Sequence, residues 1–139
     1  MKGKTVIAGL IGGIANFLLG WLIFGLLLMD WYASQTTHYD GLVKEMPNLV
    51  LILLSNLAMG FLVAIIYGEW TNVRTFKKGF IYGLVISFLF AVTIDLFFMS
   101  MMNLYTPTLV VVDIIVSTLM GATVAGVIGF VLGTGKKAE

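Results

Sequence analysis

Four apolar stretches set the limits on what this chain can fold into. They run over residues 5–29, 48–70, 78–102 and 107–133. Each exceeds the roughly 20 residues a helix needs to cross a hydrocarbon core of about 30 Å. With a rise of about 1.5 Å per residue, each has length to spare for tilt. Their apolar residues are continuous rather than alternating, which excludes a transmembrane β-barrel. The expected fold is all-α: a four-transmembrane-helix bundle in a single domain over residues 1–139, with an outer loop at 30–46. Composition agrees. The chain is 60% hydrophobic and 11% charged, against about 25% charged in soluble domains, and a water-soluble core of this length cannot hide so much apolar surface.

The first stretch follows Met1-Lys2-Gly3-Lys4 and resembles a signal peptide in its charged start. It is far longer than the roughly 7–15 residues of a signal-peptide core, and Asp30-Trp31-Tyr32-Ala33-Ser34 is a poor cleavage site. It is read as an uncleaved first helix. Lys2, Lys4, Arg74, Lys77, Lys78, Lys136 and Lys137 fall on one side of the four spans, and Lys44 falls on the other beside Asp30, Asp40 and Glu45. The positive-inside rule therefore puts both termini in the cytoplasm, in an inner (cytoplasmic) membrane. Trp31, Tyr32, Tyr39 and Tyr105 read as anchors at the outer interface, and Trp70 at the inner one. Gly41 onward suggests a short interfacial helix before Pro47, and Pro47 and Pro107 each mark a helix start, where a missing N–H costs nothing.

Each span carries a ridge of small residues spaced four apart. The ridges are Ala8, Gly12, Asn16 and Gly20; Asn56, Gly60, Ala64 and Gly68; Gly79, Gly83, Ser87, Ala91 and Asp95; and Asp113, Ser117, Gly121, Ala125, Gly129 and Gly133. Residues four apart share one helix ridge. In lipid, where no hydrophobic drive pulls helices together, such bare ridges let backbones approach closely. They read as the folding code of a tight bundle. The fourth helix carries the longest ridge and is the candidate for an outward, dimer-forming face. Gly9 and Gly13 match Gly79 and Gly83, and Gly60, Ala64 and Gly68 match Gly121, Ala125 and Gly129, a pattern that suggests one helical hairpin duplicated.

Four polar residues inside the spans carry the functional question: Asp95, Asp113, Asn56 and Asn16. The two carboxylates fall in the outer half, on neighbouring helices, at similar depth. A charged carboxylate there costs about 2.5–3.5 kcal/mol on the gentlest scale, and neither helix offers a lysine or arginine at that level. If they face each other, one is expected to hold a proton at neutral pH. Two carboxyls and two carboxamides make an oxygen-donor set suited to a proton or a hard cation. The structural alternative is that the same groups hydrogen-bond across helices and fix the bundle.

Other chemistry finds little support. Cysteine is absent, which removes disulfides and thiolate sites. His38 is a single histidine near Asp30, Asp40 and Glu45, a weak metal signature beside a solvated loop. Met29, Met46, Met99, Met101 and Met102 read as apolar filler rather than soft-metal ligands. No metal and no cofactor are expected. There is no GxSxG, HExxH or P-loop, so an enzyme is not expected. A net charge of +1 gives no argument for nucleic acid. The basic residues are explained by topology and also suit anionic head groups.

The run Asn16-Phe17-Leu18-Leu19-Gly20-Trp21-Leu22-Ile23-Phe24-Gly25, the Ser55-Asn56-Leu57-Ala58-Met59-Gly60 centre of the second helix, and residues 113–129 resemble a family of small bacterial four-helix integral membrane proteins of unknown function. The chain departs from it where Trp31-Tyr32 follows Asp30 instead of lying inside the first helix end. The resemblance implies a four-helix inner-membrane fold and no activity. The first functional expectation is a non-enzymatic membrane protein that self-associates or serves a larger membrane complex. The alternative is a small proton- or cation-linked transporter or channel using Asp95 and Asp113. A third is a lipid- or cofactor-binding module.

Overall fold

The computed structural model describes residues 2–135. Lys136 and Lys137, counted above among the charges that set orientation, lie outside the described residues. Four helices are long and apolar enough to cross a membrane, and the chain is an all-α, multi-pass membrane bundle. α1 (Gly3–Leu22) continues through a widened turn, Ile23–Leu27. α2 (Met29–Gln35) is short. α3 (Leu49–Ile65) continues through a second widened turn, Ile66–Trp70. α4 spans Phe76–Met101 and α5 spans Pro107–Gly133.

The two widened turns share a physical cause. In each, a backbone N–H reaches five residues back, Leu28 to Ile23 at 2.8 Å and Thr71 to Ile66 at 2.9 Å. Each has a glycine at its centre, Gly25 and Gly68, where no Cβ crowds the expanded coil. Helix starts follow ordinary capping. The side chains of Asn48, Thr75 and Thr106 accept from the N–H groups of Leu51, Lys78 and Leu109 at 3.1, 3.3 and 3.2 Å.

Three local expectations are corrected. The segment 30–46 is not all loop, because α2 occupies its first part. No helix follows Gly41, whose φ of +77° breaks the chain into a turn instead. Pro107 opens α5 as expected, but Pro47 precedes the capping residue Asn48 and stands outside α3.

The spans are arranged in the spatial order α3, α1, α5, α4. α1 packs on α3, α5 on α4, and α1 on α5. α3 and α4, although consecutive in the chain, do not pack along their length. They are joined only near the end of the bundle that carries Lys2 and Gly135, hereafter the terminal end. There the buried Tyr67 hydroxyl donates to the Gly79 carbonyl at 2.8 Å. Around it lies the core: Ala8, Ala64, Val73, Val124, Ala125, Ile128 and Leu132 are all nearly free of exposure. Toward the opposite, far end, where α2 and the turn between α4 and α5 lie, α3 and α4 splay apart.

Candidate functional site

The small-residue ridges decide which polar groups meet. On α4 and α5 they face one another in antiparallel order. A Cβ on Gly79 would lie 2.5 Å from the Ala125 carbonyl oxygen, and one on Gly83 2.5 Å from the Ala125 side chain. A Cβ on Gly121 would collide with Ser87, and one on Gly129 would lie 2.6 Å from the Thr75 carbonyl oxygen. The α5 ridge is thus spent inside the bundle, against α4 and the turn before it. This corrects its candidacy as an outward dimer face. Continued to the far end, the same two ridges finish in Asp95 on α4 and Asp113 on α5. Their carboxyl groups are close neighbours, each within the field of the other.

The asparagines are placed differently. On α1, Gly9 and Gly13 rather than Gly12 and Gly20 face α3: a Cβ on Gly13 would lie 2.6 Å from Leu57 Cα. Gly12 instead faces Ile128 of α5 at 2.5 Å, and Gly20 has nothing within 4 Å. Gly60 meets the backbone of Gly9 and Gly13, and Gly68 meets the Thr5 hydroxyl. Farther along this seam Asn16 Nδ2 donates to Asn56 Oδ1 at 2.6 Å, while Asn56 Nδ2 donates to the Ile52 carbonyl at 2.7 Å. The carboxamides therefore satisfy each other rather than joining the aspartates in one constellation.

A cavity of about 260 Å³ reaches from the two aspartates to Asn16. Asn16, Ser87, Asp95, Asp113 and Ser117 supply its polar groups, and Asn56 is not among its lining residues. Its walls are apolar, with Leu62 on the α3 side and Phe90 and Ile94 on the α4 side. Those three side chains are exposed, so the cavity opens sideways through the gap between α3 and α4, at the depth of a bilayer's hydrocarbon. The lining holds no lysine, arginine or histidine.

The two carboxyls are not equivalent. Asp113 is well supplied with donors: Tyr32 Oη donates to its Oδ1 at 2.7 Å and Ser117 Oγ to its Oδ2 at 3.2 Å. Asp95 Oδ2 is enclosed and has no hydrogen-bond partner among the described residues. A buried polar atom left without a partner costs about 1–3 kcal/mol, more when charged. Asp113 is an anchored acceptor, and Asp95 is the open one. Together they can take a proton, one hard cation, or the N–H or O–H of a ligand whose apolar part fits the cavity walls.

Tyr32 is the residue that sequence reasoning missed, having taken it for an interfacial anchor. α2 carries it inward, its ring set edge-on against Phe24 and Trp31 at centroid distances of 5.3 and 5.4 Å. α2 is held over the far end by a bridge between Thr36 and Tyr105. There Thr37 N donates to the Leu104 carbonyl at 2.7 Å, and Thr106 Oγ1 to Gln35 Oε1 at 2.8 Å. Burial first, then the hydrogen bond to Asp113 and the charges of Asp113 and Asp95, hold the Tyr32 phenol far above its ordinary value. It stays protonated, and so a donor, at any physiological pH. Tyr105 is raised as well, by burial and then by Asp113 and Asp95.

This arrangement predicts that Tyr32→Phe keeps the ring in place but releases α2. Loss of a hydrogen bond to a charged acceptor is worth about 1.5–3 kcal/mol, so amide exchange over Met29–Gln35 should accelerate by about tenfold or more, with the α1–α3 seam unchanged. Unchanged exchange in α2 would mean that Asp113 does not hold it.

His38 sits 3.2 Å from Asp40 with both side chains almost fully exposed, and Met29, Met46, Met99, Met101 and Met102 are also exposed. Among the described residues no group of three or more His, Cys, Asp or Glu side chains is placed to hold a metal ion. Comparison of the chain with protein-family models, with curated proteins and with solved structures gives no match.

Proposed function

We propose that this chain is a non-enzymatic protein of the cytoplasmic membrane, with both termini cytoplasmic, that binds a proton or a small cationic, hydrogen-bond-donating ligand at Asp95 and Asp113. The observation that carries the reading is the enclosed, unpartnered Asp95 oxygen beside a second carboxyl, in a cavity that opens toward lipid. Intramembrane acids are costly and mark sites by default. The closed terminal end argues against a through-channel: Tyr67, Val73, Ile128 and Leu132 fill the space that a pore would need. The ligand then comes and goes sideways, from the outer half of the bilayer, as it would in a small carrier or an accessory subunit of one.

Infrared difference spectroscopy of the protein in lipid nanodiscs tests this. A protonated-carboxyl band should appear or vanish as pH is taken from mildly acidic to mildly alkaline. It should be lost in Asp95→Asn and survive, shifted, in Asp113→Asn. A spectrum with no titrating carboxyl band, or one indifferent to Asp95→Asn, overturns the reading.

A second reading has its own support. Along most of its length α4 packs on α5, and most of its surface is exposed, so the α3–α4 gap offers room for a helix of another subunit. The mass of the protein after gentle extraction decides between them: a defined oligomer or a co-purifying chain favours association, and a bare monomer removes it.

A further inference from the structure

We propose that the terminal end of the bundle carries a phosphate-binding site, built by Lys2, Lys4 and Arg74 around a cavity of about 230 Å³ that Thr5, Asn72 and Leu132 complete. Three cations converge on this space from two parts of the chain far apart in sequence, the start of α1 and the turn between α3 and α4. Among the described residues none has a carboxylate within ion-pair distance, where the sole such contact is that of His38 with Asp40. One acid, Glu69, lies at the edge of this space: its Oε1 accepts from the Lys2 backbone N–H at 2.9 Å and from the Thr5 hydroxyl at 2.7 Å, within the field of the Lys2 charge. Three cations beside a single carboxylate leave an excess of positive charge that an external anion can balance.

The geometry is set rather than incidental. Arg74 is half-buried, and its guanidinium donates to the Gly68 carbonyl at 3.1 Å, which fixes its plane and leaves further N–H donors for an anion. Lys4 Nζ donates to the Thr134 carbonyl, tethering it between α1 and the end of α5. Asn72 adopts a left-handed backbone, φ +52°, which Asn tolerates better than other side-chain-bearing residues, and so turns the chain back to bring Arg74 against the start of α1. An anion with several oxygens suits three donors approaching from different directions, and phosphate meets that need through both Arg and Lys. The site lies where the apolar helices end, at the level where phospholipid head groups lie. Lipid phosphate is therefore the nearest source, and inorganic phosphate the other.

Lys77 and Lys78 supply the control. They belong to the same end of the bundle and are exposed, but neither lines the cavity. They carry the same charge as Lys2 and Lys4, so generic attraction to an anionic surface predicts equal effects from either pair. The test uses the whole protein in nanodiscs of phosphatidylcholine, with or without a minority of phosphatidylglycerol. Lipid retained in native mass spectrometry and the thermal midpoint are read, and inorganic phosphate is added in a separate arm. The expected result is phosphatidylglycerol retention and a raised midpoint in the wild type. Lys2→Gln/Lys4→Gln should weaken retention by about tenfold or more, and Lys77→Gln/Lys78→Gln should leave it nearly intact. Protection by inorganic phosphate at the same residues supports the site with an aqueous source. Equal losses from the two lysine pairs, or no response to either form of phosphate, would overturn it.

Discussion

Gly60→Leu is expected to remove most of the folded protein, while Gly20→Leu leaves it intact. Both glycines lie at ridge positions in the middle of apolar helices. A Cβ on Gly60 would lie 2.5 Å from the Gly9 carbonyl oxygen and 2.7 Å from Gly13 Cα. Those are backbone atoms, so the clash cannot be relieved by a rotamer change and the α1–α3 crossing must open. Overpacking costs about 1–3 kcal/mol where side chains can adjust and more where they cannot, against a total stability of about 5–15 kcal/mol for a typical domain. At Gly20 no atom lies within 4 Å. A leucine there points into lipid and improves helix propensity by about 1 kcal/mol. The fraction of monodisperse protein after detergent extraction, with its melting temperature, measures both. Equal tolerance would mean that α1 and α3 do not cross as closely as described.

That contrast marks how far the sequence could be read. The spans were legible because twenty-odd consecutive apolar residues admit one answer in lipid. Spacing of four also found the α4 and α5 ridges. Those helices are joined by a short turn and run antiparallel, which placed Asp95 and Asp113 at similar depth on neighbouring helices; that the two ridges face each other, and so bring the carboxyls together, came from the structure. Ridge spacing alone could not say which face of α1 meets which neighbour. Gly9 and Gly13 serve α3, Gly12 serves α5, and Gly20 serves neither, yet all are glycines on the same helix. In the hairpin comparison, Gly60 sits against Gly9 and Gly13 as Ala125 sits against Gly79 and Gly83, one ridge step away from the residue that sequence matching paired with it.

What escaped the sequence depends on long-range geometry. Tyr32 acts on Asp113 because α2 folds back and is tied to the Asn103–Thr106 turn through Gln35 and Thr37. Nothing local distinguishes that tyrosine from an interfacial anchor. The gap between α3 and α4 was equally hidden. Consecutive helices joined by a short turn are ordinarily neighbours, but here Tyr67 and Val73 hold them together at one end only. The cavity exists because of that splay, and the sequence contains no pattern for it.

Asp95→Asn and Asp113→Asn, the same chemical change on adjacent side chains, are expected to shift stability in opposite directions. Asp95 Oδ2 is enclosed without a donor beside another acid. An amide there removes a charge, ends the repulsion, and offers an N–H to Asp113. Where that carboxyl is ionised, removing its uncompensated buried charge should stabilise the bundle by about 1–3 kcal/mol, raising its melting temperature most at alkaline pH. The gain should fade in acid, where the wild-type carboxyl is itself protonated and neutral. Asp113 accepts two hydrogen bonds, from Tyr32 and Ser117. An amide can accept one of them but turns an NH2 toward the other donor, so Asp113→Asn should lose about 1–3 kcal/mol. A residue kept for stability does not improve stability when it is removed. A higher melting temperature for Asp95→Asn, together with loss of the titrating carboxyl band, would place the Asp95 acid among groups retained for binding at a cost to the fold. If both variants lose stability alike, the pair is a structural clasp between α4 and α5, and the cavity beside it is lipid-filled space.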